Sequence, residues 1–315
     1  MNRIKIGVIG AAPLATDHGT EQTAVARMID HWRAKFDRVL PDRPDLILVP
    51  ECCDRYAHHS VEQVRHYYRV RGDQVRDSFA DIARQHGCYV AYAAIRAAPD
   101  GTWRNSIQLI ERGGQVVGVY DKNHPTIREM EDLGVCPGDE APIIECDFGR
   151  VACAICFDLN FDEFRLRYVR EKPDLILFAS MYHGGLMQPY WAYSCRAYVV
   201  SAVTHLPSHV IDPLGQVVAS TTNYLDFATG TANLDCCLVH LDYHWEKLDA
   251  LKRAYGPGVS IVDPGFLGSV LVSSETPDQT VGQMLSEFEI EPLDEYFARS
   301  RTARRVRVEL RGALA

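Results

Sequence analysis

Apolar residues along the chain follow two different periods, one helical and one typical of buried strands. Between Glu21 and Leu40 apolar side chains recur every three or four positions, which predicts an amphipathic helix. The segment Asp45–Val49 carries a continuous apolar run instead, which is typical of a strand buried on both faces of a sheet. The same reasoning predicts further helices at Val61–Gln85, Asp162–Glu171, Pro189–Ala197, Glu246–Ala254 and near Leu293–Ser300. Predicted strands are Ile4–Ile9, Tyr89–Ile95, Ser106–Glu111, Gln115–Tyr120, Ile143–Cys146, Val151–Ile155, Asp174–Ala179, Tyr198–Thr204, Ser208–Ile211, Gln216–Ser220 and Thr231–Tyr243.

One short sequence occurs twice. Pro44-Asp45-Leu46-Ile47-Leu48 recurs at Pro173–Leu177, and each copy follows a helical segment and leads into a loop. We interpret the repeat as a sign of two structurally related halves, each containing a helix–strand unit. Strands alternate with helices early in the chain and form hairpins later, which predicts an α/β fold with a mixed sheet and helices on its outer faces.

Composition and charge restrict the classes of function. The chain has 315 residues, 47% of them hydrophobic, and a formal net charge of −9. This charge, without a stripe of Lys and Arg, argues against a nucleic-acid surface. The densest basic run, Arg301–Arg307, is interpreted as a solvated face or an oligomer contact. No apolar run approaches the roughly 20 residues that a membrane helix needs, so no membrane partner is expected.

The chain contains ten cysteines, which raises the question of the redox compartment. The first residues lead directly into a predicted strand, so no signal peptide is expected. We therefore expect a cytoplasmic protein with reduced thiols, most of which are small core residues.

Three chemically reactive side chains follow predicted strands. Glu51 follows Asp45–Val49, Lys122 follows Gln115–Tyr120, and Cys156 follows Val151–Ile155. Ligands of open α/β sheets bind beyond the carboxyl ends of strands, so a carboxylate, an ammonium and a thiol there predict one reaction centre. In such a centre the thiol attacks a carbon atom, the carboxylate takes the thiol proton, and the ammonium stabilises the negative charge that develops.

The segments around these residues resemble the three motifs of the nitrilase, or carbon–nitrogen hydrolase, superfamily. They are Leu48-Val49-Pro50-Glu51, Tyr120-Asp121-Lys122-Asn123-His124 and Ala154-Ile155-Cys156-Phe157-Asp158, in the order and at the spacing of the family. The resemblance covers roughly residues 4 to 245 and implies a four-layer α-β-β-α sandwich with approximate twofold internal symmetry. The repeated Pro-Asp-Leu-Ile-Leu agrees with that symmetry.

The resemblance also implies roles for these residues. Glu51 is then the general base, Cys156 the nucleophile that forms an acyl-enzyme, and Lys122 the group that stabilises the tetrahedral intermediate with the backbone N–H of Phe157. Family members use a second glutamate in the loop after the lysine. Glu129 and Glu131 both qualify here, and the spacing to Pro137-Gly138 favours Glu131.

Two positions depart from the common amidase pattern after the nucleophile. Asn160 stands where that pattern has arginine, and Asp162 stands where it has proline. The arginine-to-asparagine change puts carboxylate recognition at this position in doubt. Compared with the family's motifs, Phe157-Asp158 favours an amidase or a carbamoyl hydrolase over a nitrile hydrolase. We expect a carboxamide amidase acting on linear amides, with N-carbamoyl (ureido) hydrolysis as the alternative and nitrile hydrolysis third. A non-catalytic member that uses the fold for binding or assembly is the rival from another class.

Other interpretations of the cysteines are weaker. Cys153 and Cys156 match C-x-x-C, but Cys153 lies within a strand and the spacer is apolar, unlike a thioredoxin-type site. Adjacent pairs such as Cys52-Cys53 and Cys236-Cys237 are poor ligands for a tetrahedral zinc ion. We therefore expect neither a metal nor another cofactor. Taken alone, Cys156 would be a buried structural thiol and Lys122 a surface lysine.

The remaining expectations concern the substrate and assembly. Seven residues are predicted to contact a small amide or ureido substrate: Tyr56, Glu129, Phe157, Asn160, Tyr182, His183 and Trp191. The resemblance implies a homodimer or larger assembly through the helices Asp162–Glu171 and Pro189–Ala197. Residues 1–245 are expected to form the hydrolase domain, and 246–315 an extension that packs on the domain or on an oligomer partner.

Overall fold

The computed structural model describes residues 2–16 and 20–312. The chain divides into two compact units, of which one is Ile4–Ala232 and the other holds the remaining described residues. Residues 313–315 of the predicted extension lie outside the described part of the chain.

The first twelve strands form two sheets. They are β1 (Arg3–Ile9), β2 (Leu46–Leu48), β3 (Tyr89–Ala97), β4 (Trp103–Ile110), β5 (Val116–Asp121), β6 (Ile144–Cys146), β7 (Gly149–Ile155), β8 (Leu175–Ser180), β9 (Tyr198–Val203), β10 (His209–Ile211), β11 (Val217–Ser220) and β12 (Phe227–Asn233). The accompanying helices are α1 (Glu21–Val39), α2 (Val61–Arg71), α3 (Gln74–His86), α4 (Ile127–Glu131), α5 (Asp162–Glu171) and α6 (Met187–Cys195).

The two sheets have the same topology. Among the described residues each has six strands, in the order β12-β1-β2-β3-β4-β5 and β6-β7-β8-β9-β10-β11. The strands β1-β2-β3 are parallel and β3-β4-β5 antiparallel, and β7-β8-β9 and β9-β10-β11 repeat this pattern. The repeated Pro-Asp-Leu-Ile-Leu segments supply β2 and β8, which occupy the same place in their sheets. The prediction of two related halves is therefore confirmed.

The sheets pack face to face, with β2 against β9 and β4 against β7. They approach closely at Gly118 of β5, where a Cβ atom would lie 2.6 Å from the Ile144 side chain of β6. Apolar side chains of α1, α2 and α3 pack on the first sheet in one buried cluster that includes Trp32 and Phe79. On the second sheet, Trp191 of α6 packs against aromatic rings of α5. The predicted four-layer α-β-β-α sandwich is confirmed.

Two segments differ from the sequence prediction. The stretch Val61–Gln85 is two helices instead of one, because Gly72 adopts a left-handed φ of +50° between α2 and α3. The polar segment after Lys122 contains the short helix α4, which a capping box at Thr126 begins. Both changes alter the course of the chain near the strand ends.

The second unit has its own sheet and core. Its strands are β13 (Cys236–His240), β14 (Val259–Val262) and β15 (Ser269–Ser274), and its helices are α7 (Trp245–Tyr255), α8 (Val281–Glu287) and α9 (Leu293–Gly312). The predicted strand Thr231–Tyr243 is thus wrong, because β12 ends at Asn233 and β13 pairs with β15. Residues 233–245, which the sequence analysis places in the hydrolase domain, lie in this second unit. The strands β14 and β15 were not predicted.

Among the described residues, no helix combines the length and the apolar character that crossing a membrane requires.

Candidate active site

Glu51 lies in the turn directly after β2. Its side chain is 3% exposed, although it is a carboxylate at the end of a wholly apolar strand. Behind this turn, Asp54 forms a buried ion pair with Arg71 of α2 at 2.7 Å, and Trp32 of α1 donates a hydrogen bond to the backbone of Cys53 at 2.9 Å. The turn is therefore held by helices on its outer side, which fixes the position of Glu51.

Lys122 follows β5, and its ammonium lies between two carboxylates. Its Nζ is 2.8 Å from Oε1 of Glu51 and 2.8 Å from Oε2 of Glu129. Burial alone would lower the pKa of Lys122, but the carboxylates of Glu51 and Glu129 outweigh burial and raise it. Lys122 thus remains a fixed cation at all moderate pH values.

Glu129, and not Glu131, is the second glutamate at the site. Glu129 belongs to α4, where its carboxylate accepts the backbone N–H of Thr126 at 2.8 Å in the capping box. Burial would raise the pKa of Glu129, but the charge of Lys122 and hydrogen bonds from Lys122, Thr126 and Asn105 hold it below its ordinary value. Glu131 is exposed at the end of the same helix. The structure does not bring Glu131 to Lys122, contrary to the sequence preference, because the helical turn carries the two side chains in different directions.

Asn105 of β4 is a site residue that the sequence analysis missed. Its Nδ2 atom donates to Oε1 of Glu51 and to Oε1 of Glu129, both at 2.8 Å. Its backbone carbonyl accepts the N–H of Lys122 at 2.8 Å. One amide thus bridges the two carboxylates and also positions the lysine backbone. In the sequence Asn105 is an ordinary polar residue in a strand, and only its place beside β5 reveals this role.

Cys156 lies at a sharp bend between β7 and the 3-10 turn that precedes α5. Its φ of +49° is left-handed, which is uncommon for a residue with a side chain and typical of strained functional positions. Burial and the nearby Glu51 carboxylate raise the pKa of the Cys156 thiol to about 12, against the effects of Lys122 and of hydrogen bonds from Ser180 and the Met181 backbone. The resting thiol therefore carries its proton and needs a base.

Asp158 fixes the bend that presents Cys156. It is fully buried, and its carboxylate accepts the backbone N–H of Ile155 at 2.9 Å and the hydroxyl of Tyr120 at 2.6 Å. It also accepts the backbone N–H of His124 at 2.9 Å. Because Tyr120 and His124 flank Lys122, the same carboxylate connects the lysine segment to the cysteine bend.

Glu51, Lys122, Glu129 and Cys156 line one cavity of about 420 Å³, within the usual range for small-molecule sites. Arg55, Arg128 and Met181 line the same cavity. The backbone N–H of Met181, which follows β8, donates to Oε2 of Glu51 at 3.1 Å. A carboxylate, an ammonium and a thiol from both halves of the fold thus meet in one cavity.

Only some of the residues predicted to contact the substrate line the cavity. Tyr56 lines the cavity, although its hydroxyl donates to the backbone of Ala24 at 2.8 Å. Asn160 donates to the Tyr182 hydroxyl at 3.2 Å, beside Phe157, which is 40% exposed. These three residues and His183 are not among those that line the cavity. His183 lies 3.1 Å from His209, ring nitrogen to ring nitrogen.

Trp191 was predicted to contact the substrate, and the structure contradicts this prediction. It is fully buried between the aromatic rings of α5 and donates to the backbone of Leu159 at 3.2 Å, so it has no surface to offer a substrate. Among the described residues, no three His, Cys, Asp or Glu side chains are arranged to hold a metal ion. Cys153 is a buried free thiol.

Known proteins resemble this chain in sequence. The carbon-nitrogen hydrolase family model matches residues 5–235. The deaminated glutathione amidase of Rattus norvegicus is 23% identical over 259 residues, which cover 72% of this chain and 74% of the relative. The nitrilase and fragile histidine triad fusion protein NitFhit of Caenorhabditis elegans is 24% identical over 63% of this chain. The chain spans about half the length of several curated relatives, NitFhit among them.

Solved structures share the fold. The crystal structure of C. elegans NitFhit has a TM-score of 0.62 at 20% identity, covering 80% of this chain and 63% of that one. An amidase from Nesterenkonia sp. has a TM-score of 0.61 at 18% identity, covering 73% of this chain and 90% of that one. In a mutant of that amidase, acrylamide is described as adding to the active-site cysteine.

Proposed function

The chain belongs to the carbon–nitrogen hydrolase family, and we propose that it hydrolyses linear carboxamides through an acyl-enzyme on Cys156. The observation that carries the proposal is the meeting of Glu51, Lys122 and Cys156 in one cavity, with Lys122 Nζ 2.8 Å from Glu51. The amidase names of relatives in rat and in Nesterenkonia favour a carboxamide over a nitrile.

The first step is proton transfer from the thiol. Because burial raises the pKa of Cys156 to about 12, only a minute fraction of the thiol is ionised at neutral pH. Glu51 is the nearby carboxylate and acts as the general base as the sulfur attacks the carbonyl carbon. The proton then passes to the nitrogen of the leaving group, so that ammonia or an amine departs and a thioester remains.

The tetrahedral intermediate carries a negative oxygen, which Lys122 stabilises. An ammonium has three N–H donors. Glu51 and Glu129 accept two of them and leave a third for the oxyanion, with the backbone N–H of Phe157 as a second donor. Glu129 and Asn105 hold the ammonium in place. Glu51 next removes a proton from a water molecule that attacks the thioester, and the acid is released with the thiol restored.

Trapping of the acyl-enzyme tests this proposal. The protein is incubated with propionamide in the presence of hydroxylamine, which converts a thioester to a hydroxamate. Hydroxamate and ammonia should both form. In a parallel incubation without hydroxylamine, intact-protein mass spectrometry should detect the acyl adduct, and the peptide containing Cys156 should carry it. Cys156→Ala should remove all three signals. The control Cys153→Ala, which removes a buried thiol from β7 just before Cys156, should retain them. Full turnover by Cys156→Ala, or release of carbon dioxide from ureido compounds with no action on amides, would contradict it.

We further propose that the protein acts in the cytoplasm as a homodimer or larger assembly through α5 and α6. Leu166, Leu186 and Tyr190 on and beside these helices are exposed apolar side chains. Such a patch supports association. Light scattering should give a mass of at least twice 35.4 kDa, and a monomer at micromolar concentration would contradict the assembly.

A further inference from the structure

Three lysine or arginine side chains line the active-site cavity, and two of them have carboxylate partners. Lys122 contacts Glu51 and Glu129, as described above. Arg128 forms an ion pair with Asp132 at 3.0 Å. Arg55 differs, because its guanidinium forms no ion pair with a described residue. Its Nη2 atom donates a hydrogen bond to the thioether sulfur of Met181 at 3.0 Å.

The surroundings of Arg55 suit an anionic ligand. Arg55 is half-buried in the same turn as Glu51, and its backbone N–H donates to the carbonyl of Cys52 at 3.0 Å, which fixes where the side chain starts. A thioether is a weak acceptor that cannot neutralise a guanidinium. Cys52, Glu51 and Glu129 raise the pKa of Arg55 through their charge, but among the described residues none of them accepts a hydrogen bond from its guanidinium. A guanidinium also carries five N–H donors in a planar fork that matches a carboxylate.

Met181 connects this guanidinium to the reaction centre. Its side chain contacts Arg55, while its backbone N–H donates to Glu51 at 3.1 Å. Hydrogen bonding from the same N–H also acts on the Cys156 sulfur. Arg55 and the reaction centre therefore line the same cavity and contact the same residue, Met181.

We propose that Arg55 binds a carboxylate at the far end of the substrate, so that the substrates are short amides of dicarboxylic acids. The inference rests on the proposed amide hydrolysis at Cys156. Asn160 stands where the common amidase pattern has an arginine after the nucleophile. Arg55, in the turn after β2, would supply a guanidinium for carboxylate recognition in its place.

A different role for Arg55 predicts a different result. The cluster of Glu51, Glu129 and Lys122 has a formal charge of −1, and Arg55 would balance it without touching the substrate. In that role, loss of Arg55 would impair all amides equally, because the catalytic groups themselves would change. In the proposed role, it would impair only the amides that carry a carboxylate.

The test compares matched amides that differ in one terminal group. Succinamate and glutaramate carry a carboxylate at one end, and succinamide and glutaramide replace it with a neutral amide of the same shape. Ammonia release gives kcat and KM for each. For the wild type, kcat/KM should be about 10- to 100-fold higher for at least one monoamide than for its diamide, the range expected for a charge-assisted hydrogen bond.

Variants of Arg55 should remove this preference. Arg55→Met should raise KM for the monoamide about 10- to 100-fold and leave kcat for the diamide within a few-fold, which also establishes that the variant is folded. Arg55→Lys should keep part of the preference, because it retains the charge without the fork. As a control, Arg128→Met removes a cavity arginine that already has a carboxylate partner and should change both substrates by the same factor.

The outcomes separate the inference from the proposed function. A wild type that hydrolyses diamides without preferring monoamides would overturn the inference alone, as would an Arg55→Met protein that loses both activities equally. Absence of turnover with every amide, propionamide included, would overturn the proposed function, and the inference with it.

Discussion

The two halves of the sandwich share a topology but carry different chemistry at the ends of equivalent strands. When the two Pro-Asp-Leu-Ile-Leu strands and their neighbouring strands are aligned by register, Glu51 is equivalent to Ser180. In the same alignment Ala11 is equivalent to Cys156. A second repeat, Gly114-Gln115-Val116-Val117 and Gly215-Gln216-Val217-Val218, aligns β5 with β11. The first half thus supplies the carboxylate and the ammonium, and the second half supplies the thiol.

The same comparison applies to a second cavity of about 530 Å³, which lies beyond the carboxyl end of β1. It is lined by Ala11 and Asn223, the equivalents of Cys156 and Lys122 in these alignments. Its carboxylate, Asp226, is held by Lys35 and Arg38, both at 2.6 Å. The two cavities therefore lie at equivalent strand ends, and residue identity at a few of these positions decides which cavity carries the thiol and the ammonium.

The largest expected effect comes from making the two halves alike at the nucleophile. The variant Cys156→Ala has alanine after β7, as the first half has Ala11 after β1. Turnover should fall about 10⁴-fold or more, because no other group replaces the sulfur. The free energy of unfolding should change little, since the left-handed bend remains and the thiol that is removed is only partly buried. Amide turnover and urea unfolding measure the two effects. Residual turnover within 100-fold of the wild type would mean that Cys156 is not the nucleophile.

Removal of the base should have the next largest effect. Glu51→Gln keeps the shape and the hydrogen bond from Met181 but loses the carboxylate, and kcat should fall about 10²- to 10⁴-fold. Because the pKa of the Cys156 thiol is raised to about 12, the remaining activity should increase as pH rises towards the alkaline side. A pH profile of kcat with the shape of the wild-type profile would argue against Glu51 as the base.

The two glutamates of α4 offer a matched pair. Glu129→Gln removes a buried carboxylate that contacts Lys122, and kcat should fall about 10- to 10³-fold because the ammonium loses its position. Glu131→Gln changes an exposed residue two positions later and should keep kcat within about twofold. Steady-state kinetics of both variants on one amide decide between them. The reverse order of effects would restore the choice of Glu131 that the sequence favours.

The sequence predicts the scaffold better than it predicts the geometry around Lys122. Buried strands are long apolar runs and helices are periodic, so an α/β fold and the three strand-end residues follow from local patterns. The four-layer arrangement follows from the resemblance to the family. Asn105 and Ser180 are polar residues at strand positions, and they reach the site only through pairing between strands. The choice between Glu129 and Glu131 depends on where α4 begins, which the Thr126 capping box sets. The strands β14 and β15 belong to a separate core and lack a family motif.

The smallest expected effect concerns stability and pH at Glu129. Its pKa is lower in the folded protein than in the unfolded chain, where it is about 4.3. A carboxyl with a lowered folded pKa stabilises the protein above the unfolded pKa, and this contribution disappears as pH falls through the folded value. The difference in unfolding free energy between the wild type and Glu129→Gln should thus be constant above about pH 5 and shrink in more acidic buffer. Glu131→Gln is the control, and urea unfolding across this range should reveal no such change for it. A difference for Glu129→Gln that stays constant down to pH 3.5 would mean that its ionised form has no preferred environment in the fold, and that the first half holds Lys122 by Glu51 and Asn105 alone.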